Sequence, residues 1–547
     1  MQKIKISQIL FVLLFLFNIG LAGYYMNRKE GFFMDELWSY SHANSSQGAF
    51  LSEDIDSYFT HQQTSLHHHW IKGKVFHDYL TTQENERFHY GHIKENLQKS
   101  VHPPLFYYVL HTVCSFMPDE FSKWQVGGIN LFFFMLTLLV FYKLSKLFLK
   151  DEYMAMVPVF LWGFSDIGLA TCVFLRMYAM QTFFAVGLLY EVSKMLIANE
   201  ASNKRLFLIF LYATLGNLTQ FSSLVFAFLT AAVTGVVLCY RKNWNVLISF
   251  SVVMLFSAGF LFAFYPEAYD VLRYSKRGVE TTQKAQIISH HIGELLVVLW
   301  DSNVKTRAFE IYWKELLGIS GICDLWFIIV VGTVFVIGYR LKKKFNQQIL
   351  ALLGIFILMS VFFALFMPLG AGMTSRYHMM LMPVASLLIV YFLSLLAIQF
   401  KAPTKVVMLM LAGLVLWHTL STDFKTNMYR LPINEETREF LPKLAGKNIL
   451  VVSDIPAFFE NALMFSKANE VYFAMPTAVA KDAVKKADYV LISNNVAWSY
   501  IPLGKNKVCF MCAPAPKPLD ENFARQLKFA APYRSGVVNF DLYAVRH

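Results

Sequence analysis

Asp35 and Glu36 stand side by side in the stretch GFFMDELWSYSH, Gly31 to His42, directly after the first apolar run of the chain. A carboxylate placed there can take a proton from a hydroxyl group. A like-charged neighbour and partial desolvation both raise a carboxyl pKa toward the range a general base needs. Phe32, Phe33, Leu37 and Trp38 surround the pair, and aromatic side chains favour the boundary of hydrocarbon, headgroups and water. The bland alternative is a solvated loop pair beside an aromatic belt. The other chemistry-bearing residues are His102, Asp166, Arg176, Tyr178, Arg376, Tyr377 and His378, all near the outer ends of apolar runs. The planar fork of arginine suits phosphate oxygens, and for Arg176 and Arg376 the competing reading is snorkelling toward lipid headgroups. A site built from these residues would handle a ligand whose tail lies in lipid and whose head lies in the outer water layer.

The elements that position them must be membrane helices. Of the 547 residues, 56% are hydrophobic and only 16% charged, with a mean hydropathy of +0.43, far from a soluble average. The formal net charge of +12 comes from bases clustered in short loops, which is topology information and not a nucleic-acid-binding face. The fold class expected is a polytopic α-helical membrane protein of about 11 transmembrane helices, followed by a soluble C-terminal α/β domain. The first span is placed at 9–25, read as an uncleaved helix, and the others at 126–142, 153–172, 178–197, 205–220, 222–240, 245–264, 317–339, 349–368, 379–399 and 404–420. Leu105 to Met117 is about 13 residues long, bracketed by Pro103, Pro104 and Pro118, and is laid along the interface instead of across the membrane. With that choice Lys143, Lys146, Lys150, Lys204, Arg205, Arg241, Lys242, Arg340, Lys342 to Lys344, Lys401 and Lys405 all fall inside. The N-terminus is then cytoplasmic and the C-terminal domain extracytoplasmic, as in a bacterial plasma membrane.

The domains expected are a membrane unit over 1–420 and an α/β unit over 421–547. The membrane unit carries a first outer loop with interfacial helices at 27–125 and a second large outer loop at 265–316. In the C-terminal unit NILVVSD, EVYFAM, DYVLISN and VCFMCA read as strands, with helical stretches at 456–466, 477–487 and 520–529 between them, which argues a mostly parallel sheet. The first outer loop is rich in histidine, including His67 to His69, His77, His89 and His92, but no i, i+4 pair with a carboxylate completes a ligand set. Cys509 and Cys512 form a lone C-x-x-C on an expected strand, where i and i+3 point to opposite faces, a poor metal site. No Walker motif points to an ATP-driven pump. Few ionisable residues fall mid-span, whereas transporters and channels usually keep some there.

Four short features together resemble the GT-C polyprenyl-phosphate-sugar glycosyltransferases, in the branch of the protein O-mannosyltransferases and lipid A aminoarabinose transferases. They are the Asp-Glu at Met34 to Leu37, the HPPL at His102 to Leu105, the Arg-x-Tyr-Ala at Arg176 to Ala179, and the Arg-Tyr at Arg376 and Tyr377. Their order and side of the membrane match over roughly residues 1–400. The resemblance implies that Asp35 is the catalytic base of an inverting glycosyltransferase. The donor would be a polyprenyl-phosphate sugar, the acceptor a hydroxyl on a glycan, lipid or protein, and the reaction would run at the outer face. The candidate catalytic residues are then Asp35, Glu36 beside it, and Asp166, near the outer end of its span, which no motif assigns; the candidate donor-phosphate contacts are His102, Arg176, Tyr178, Arg376, Tyr377 and His378. Relatives often carry an acidic residue two positions before the arginine of the Arg-x-Tyr motif, where this chain has Phe174. No cofactor is specified, and a divalent metal is left open. The rivals are a transporter or flippase of lipid-linked glycans and a non-catalytic scaffold that binds glycan. The C-terminal domain lies outside the motifs, and the sequence assigns it no role.

Overall fold

The computed structural model describes residues 5–46, 48, 66–98, 100, 102–274, 347–366, 375–399, 401, 403–422, 435–453, 461–474, 479–493, 527–534 and 539–545. The chain forms two compact units. One comprises Met1–Asn27, Val101–Phe106 and Val126–Met428, and the other Arg28–Ser100, Tyr107–Gln125 and Tyr429–His547.

The first unit is helical. Among the described residues six helices are long and apolar enough to cross a membrane: Ile6–Asn27, Lys123–Phe148, Phe221–Tyr240, Trp244–Phe264, Arg376–Ile398 and Thr404–Ser421. Their outward faces stay apolar, as Leu255 at 71% and Phe256 at 69% exposure illustrate, which suits contact with lipid tails. Of the eleven expected spans, 317–339 lies outside the described residues. Asn203–Asn217 is a 15-residue helix, and Tyr178–Ala198 breaks its apolar run with Glu191 and Lys194. Leu105–Ser115 has 11 residues, about 16 Å of helix and too short to cross.

The span expected at 153–172 is two helices. Glu152–Gly163 and Asp166–Val173 meet at a 60° bend, which makes a seventh crossing if the pair counts as one. Asp151 caps the first by accepting from the Tyr153 and Met154 amides. Ser165 caps the second by accepting from the Gly168 amide at 3.2 Å. The bend folds the second helix back so closely that a Cβ on Gly168 would stand 1.9 Å from the Trp162 carbonyl oxygen. Only glycine fits there.

The second unit is built on a six-stranded sheet: β1 (Trp70–Lys72), β2 (Asn448–Val452), β3 (Glu470–Ala474), β4 (Tyr489–Ser493), β5 (Leu527–Arg534) and β6 (Asn539–Val545), in the order β1-β3-β2-β4-β6-β5. β3, β2 and β4 are parallel, and β1, β6 and β5 join antiparallel. The expected mostly parallel sheet is thus only its centre. Two further differences stand out. β1 comes from the segment between the first two long apolar helices, and Leu527 to Phe529, expected to be helical, begin a strand that pairs with β6. VCFMCA and Cys509 to Cys512 lie outside the described residues.

β2 is buried along Ile449 to Val452, as a continuous apolar run at the middle of a covered sheet should be. On one face Leu450 and Val452 pack with Ala483 and Val484 of the Lys481–Lys486 helix. On the other, Phe76 of the Gly73–Leu80 helix meets Phe465 and Phe473 at ring separations of 5.5 and 6.0 Å. That helix follows β1 directly in the chain, so the sheet face is completed by residues far away in sequence.

Two histidines of this unit are buried side by side. His92 and His111 have ring centroids 5.0 Å apart, and the His111 Nδ1 lies 3.4 Å from the Asn44 and Thr82 side-chain oxygens. Burial and the neighbouring His92 pull His111 down to about 4, and burial lowers His92. A folded-state pKa below the unfolded value of 6.5 means the unfolded chain binds protons first. Stability is therefore expected to fall as the pH drops below about 6.5, levelling off only near 4 for His111. His111→Phe keeps the ring volume and should flatten the dependence of melting temperature on pH between 7 and 5. Parallel curves for variant and parent would refute this linkage.

Candidate functional site

In the second unit the Met34–Asn44 helix carries Asp35 and Glu36 in its first turn, where carboxylates oppose the positive end of the helix dipole. Their surroundings differ. Glu36 is fully buried, its Oε1 is 3.0 Å from the buried Lys29 ammonium, and its Oε2 accepts from the Phe33 amide at 2.7 Å. It caps its own helix and balances a buried cation. Burial lowers the Lys29 pKa, and Glu36 opposes that shift. The Lys123 ammonium, in turn, donates to the Lys29 carbonyl at 2.6 Å. Asp35, one position earlier, is half-buried. Adjacent helical positions point about 100° apart, so the two carboxylates face different surroundings.

In the first unit Arg176 sits between the Asp166–Val173 and Tyr178–Ala198 helices. Asn130 holds the approach by donating to the Cys172 and Phe174 carbonyls at 3.1 and 2.7 Å. Arg176 is only 2% exposed, and its Nη2 is 2.8 Å from the His102 Nε2. A guanidinium has donors only, so His102 must accept at Nε2 and carry its proton on Nδ1 as the neutral imidazole. The charge of Arg176 is therefore oriented by His102 without being neutralised by it. Tyr178 stacks on Phe174, with ring centroids 5.7 Å apart.

Arg376 lies over the Tyr377 ring at 5.1 Å from its centroid and donates to the Tyr377 hydroxyl at 3.2 Å. His378 is buried against Phe363. The turn that follows docks on the Tyr178–Ala198 helix, where Gln181 donates to the Met380 sulfur. The segment bearing Arg376 thus comes to the end of the helix that Arg176 precedes.

Asp166 stands apart from the arginines, at the helix bend. It accepts from the Thr419 hydroxyl at 3.2 Å and lies 3.9 Å from the His418 Nε2, while Thr419 also donates to the Phe164 carbonyl at 2.7 Å. Thr419, His418 and Lys29 escaped the sequence reading. Lys29 did carry a signal, because under the expected topology a lysine just after the first span runs against the charge bias of short loops. Among the described residues no group of three or more His, Cys, Asp or Glu could hold a metal ion.

No protein-family model matches the chain, and no curated protein does. Among solved structures it is similar to the archaeal oligosaccharyltransferase AglB from Archaeoglobus fulgidus in complex with an inhibitory peptide and a dolichol-phosphate. The identity is 12% over 88% of this chain and 69% of that one, with a TM-score of 0.45. It is also similar to ArnT from Cupriavidus metallidurans bound to undecaprenyl phosphate, at 11% identity over 98% of this chain and 97% of that one, with a TM-score of 0.44. Likenesses of this size carry no weight for the chemistry, which rests on the residues above.

Proposed function

We propose that the protein is an inverting membrane glycosyltransferase that moves a sugar from a polyprenyl-phosphate donor to a hydroxyl acceptor at the outer face. The observation that carries this reading is the buried Arg176 held by a neutral His102, a cation preset for an anionic headgroup. Arg376, braced on Tyr377, is the second candidate clamp. In the proposed step Asp35 takes the acceptor proton while the acceptor oxygen bonds to the anomeric carbon. The bond from that carbon to the phosphate oxygen breaks on the opposite side, and its electron pair leaves on polyprenyl phosphate. The arginines offset the charge that grows there. Asp166 is kept as a reserve carboxylate, Tyr178 and His378 as walls of the donor site, and any divalent metal as an open addition.

The deciding experiment is transfer of radiolabelled sugar from a polyprenyl-phosphate donor by the purified protein, with the anomeric configuration of the product determined. Consumption of donor with inversion supports the reading. Movement of intact donor across a vesicle membrane without consumption would make the protein a flippase, and binding without turnover would make it a scaffold.

Arg376 offers a graded test. Arg376→Ala is expected to weaken donor binding by roughly 10- to 150-fold, the equivalent of about 1.5–3 kcal/mol for a charged hydrogen bond. Arg376→Lys should lose much less, because a cation remains. Equal donor affinity in the parent and the Ala variant, measured by tryptophan quenching, would reduce Arg376 to a headgroup anchor.

A further inference from the structure

The C-terminal strands and the Asp35 helix belong to one packed body. We infer that the C-terminal α/β domain is the positioning element of the Met34–Asn44 helix, acting through Gly73 and Asn44. The inference rests on the proposed role of Asp35 for its catalytic consequence, though not for its structural part.

The linkage can be followed group by group. β1 lies along β3 in the register Trp70↔Tyr472, Ile71↔Val471 and Lys72↔Glu470. Immediately after it the chain turns into the Gly73–Leu80 helix, whose first amide donates to the Asn469 carbonyl at 3.0 Å. A Cβ on Gly73 would stand 2.0 Å from the Ala468 carbonyl oxygen. Because that obstacle is backbone, no side-chain rotation relieves it, and any larger residue must push the helix off the domain. Phe76, one turn on, is fully buried against Phe465 and Phe473. The far end of the same helix meets Asn44. Its amide donates to the Leu80 carbonyl at 3.0 Å, and its oxygen accepts from the Thr82 hydroxyl at 2.8 Å.

Asn44 is the last residue of the Met34–Asn44 helix, fully buried, with Asp35 near the other end. A helix that short behaves as a rigid rod of about 16 Å. A tilt of 5° about its Asn44 end moves Asp35 by roughly 1 Å, and misplacement of that size can cost on the order of a hundredfold in rate. The domain that the sequence left without a role thereby sets the geometry of the candidate base.

The test uses the full-length protein in detergent, with two variants at opposite ends of the linkage. Gly73→Leu presses on the domain contact, and Asn44→Ala removes the hydrogen bonds of Asn44 to Leu80 and Thr82 while leaving the sheet in place. Donor affinity, the transfer rate per donor-bound enzyme, amide hydrogen exchange over 34–44 and thermal stability are measured on each, with Asn44→Asp as the conservative control that keeps the acceptor for Thr82. The expected result is faster exchange over 34–44 in both variants, with a rate per bound donor lowered at least tenfold and donor affinity within twofold of the parent. Asn44→Asp should recover part of the rate. A merely structural role would lower stability and leave the rate per bound donor unchanged, and that outcome overturns the inference. If the parent transfers no sugar, the proposed function fails while exchange still decides the structural part. Unchanged exchange over 34–44 in Gly73→Leu would then overturn it.

Discussion

Asp35→Asn is expected to lower single-turnover transfer at least about a hundredfold, the lower end for losing a general base, while donor binding survives. The amide keeps the size of the carboxylate and can still accept hydrogen bonds, but it cannot hold the acceptor's proton at neutral pH. Donor affinity should hold or rise, since the substitution removes a negative charge where an anionic headgroup is handled. Asp35 is half-buried in the first turn of its helix, and a melting curve of the variant separates a loss of folding from a loss of chemistry. Near-normal transfer by a folded Asp35→Asn protein would end its candidacy and move attention to Asp166, at the helix bend.

The neighbouring carboxylate should behave in the opposite way. Glu36→Gln removes the carboxylate 3.0 Å from the buried Lys29 ammonium, and breaking a buried ion pair from one side costs about 3–5 kcal/mol. The expected phenotype is a large fall in thermal stability with transfer per folded molecule largely retained. Lys29→Met alone should also be damaging, because it takes the cation away from the buried Glu36 carboxylate. The double variant Lys29→Met with Glu36→Gln should recover much of the loss, since no charge is then left buried. The pH dependence gives a second sign. Without Glu36 the folded-state pKa of Lys29 falls further below its ordinary 10.5, so the unfolded chain binds the proton more readily than the folded one. The Glu36→Gln protein should therefore gain stability as the pH rises from 7 toward 10. Additive losses in the double variant, or a pH response of the opposite sign, would show that the pair is not coupled as its 3.0 Å separation implies.

The membrane character of the chain was legible because apolar runs and basic loops are local features of composition. So was the shortness of Leu105–Ser115, which its prolines bracket. The bend at Ser165 was within reach: Ser165 followed by Asp166 is a helix-start signature, overlooked because the apolar run continues through it. The adjacency of Asp35 and Glu36 could be read, but not their separate environments. Those depend on Lys29 folding back onto one of them, a contact no periodicity encodes. β1 could not have been found locally, since three residues carry no alternation and the strand exists only because β3 lies beside it. The same holds for Leu527 to Phe529, where pairing with β6 overrides a local pattern that reads as helix. Of the candidate donor contacts, Arg176 and His102 are brought together across more than seventy residues of sequence, and the neutral tautomer of His102 follows only from the geometry.

The place of β1 in the sheet also sets an order of events during synthesis. Trp70 emerges from the ribosome roughly four hundred residues before Tyr472, its partner, a delay on the order of 20–80 s at ordinary elongation rates. Throughout that interval the segment must wait with Phe76 uncovered and Gly73 undocked, open to proteolysis and to pairing with the wrong edge. A ribosome that stops before β3 thus leaves two defects, one where translation ended and one near the start of the chain. Quality-control factors that recognise exposed apolar segments would meet this protein first through the segment around Phe76.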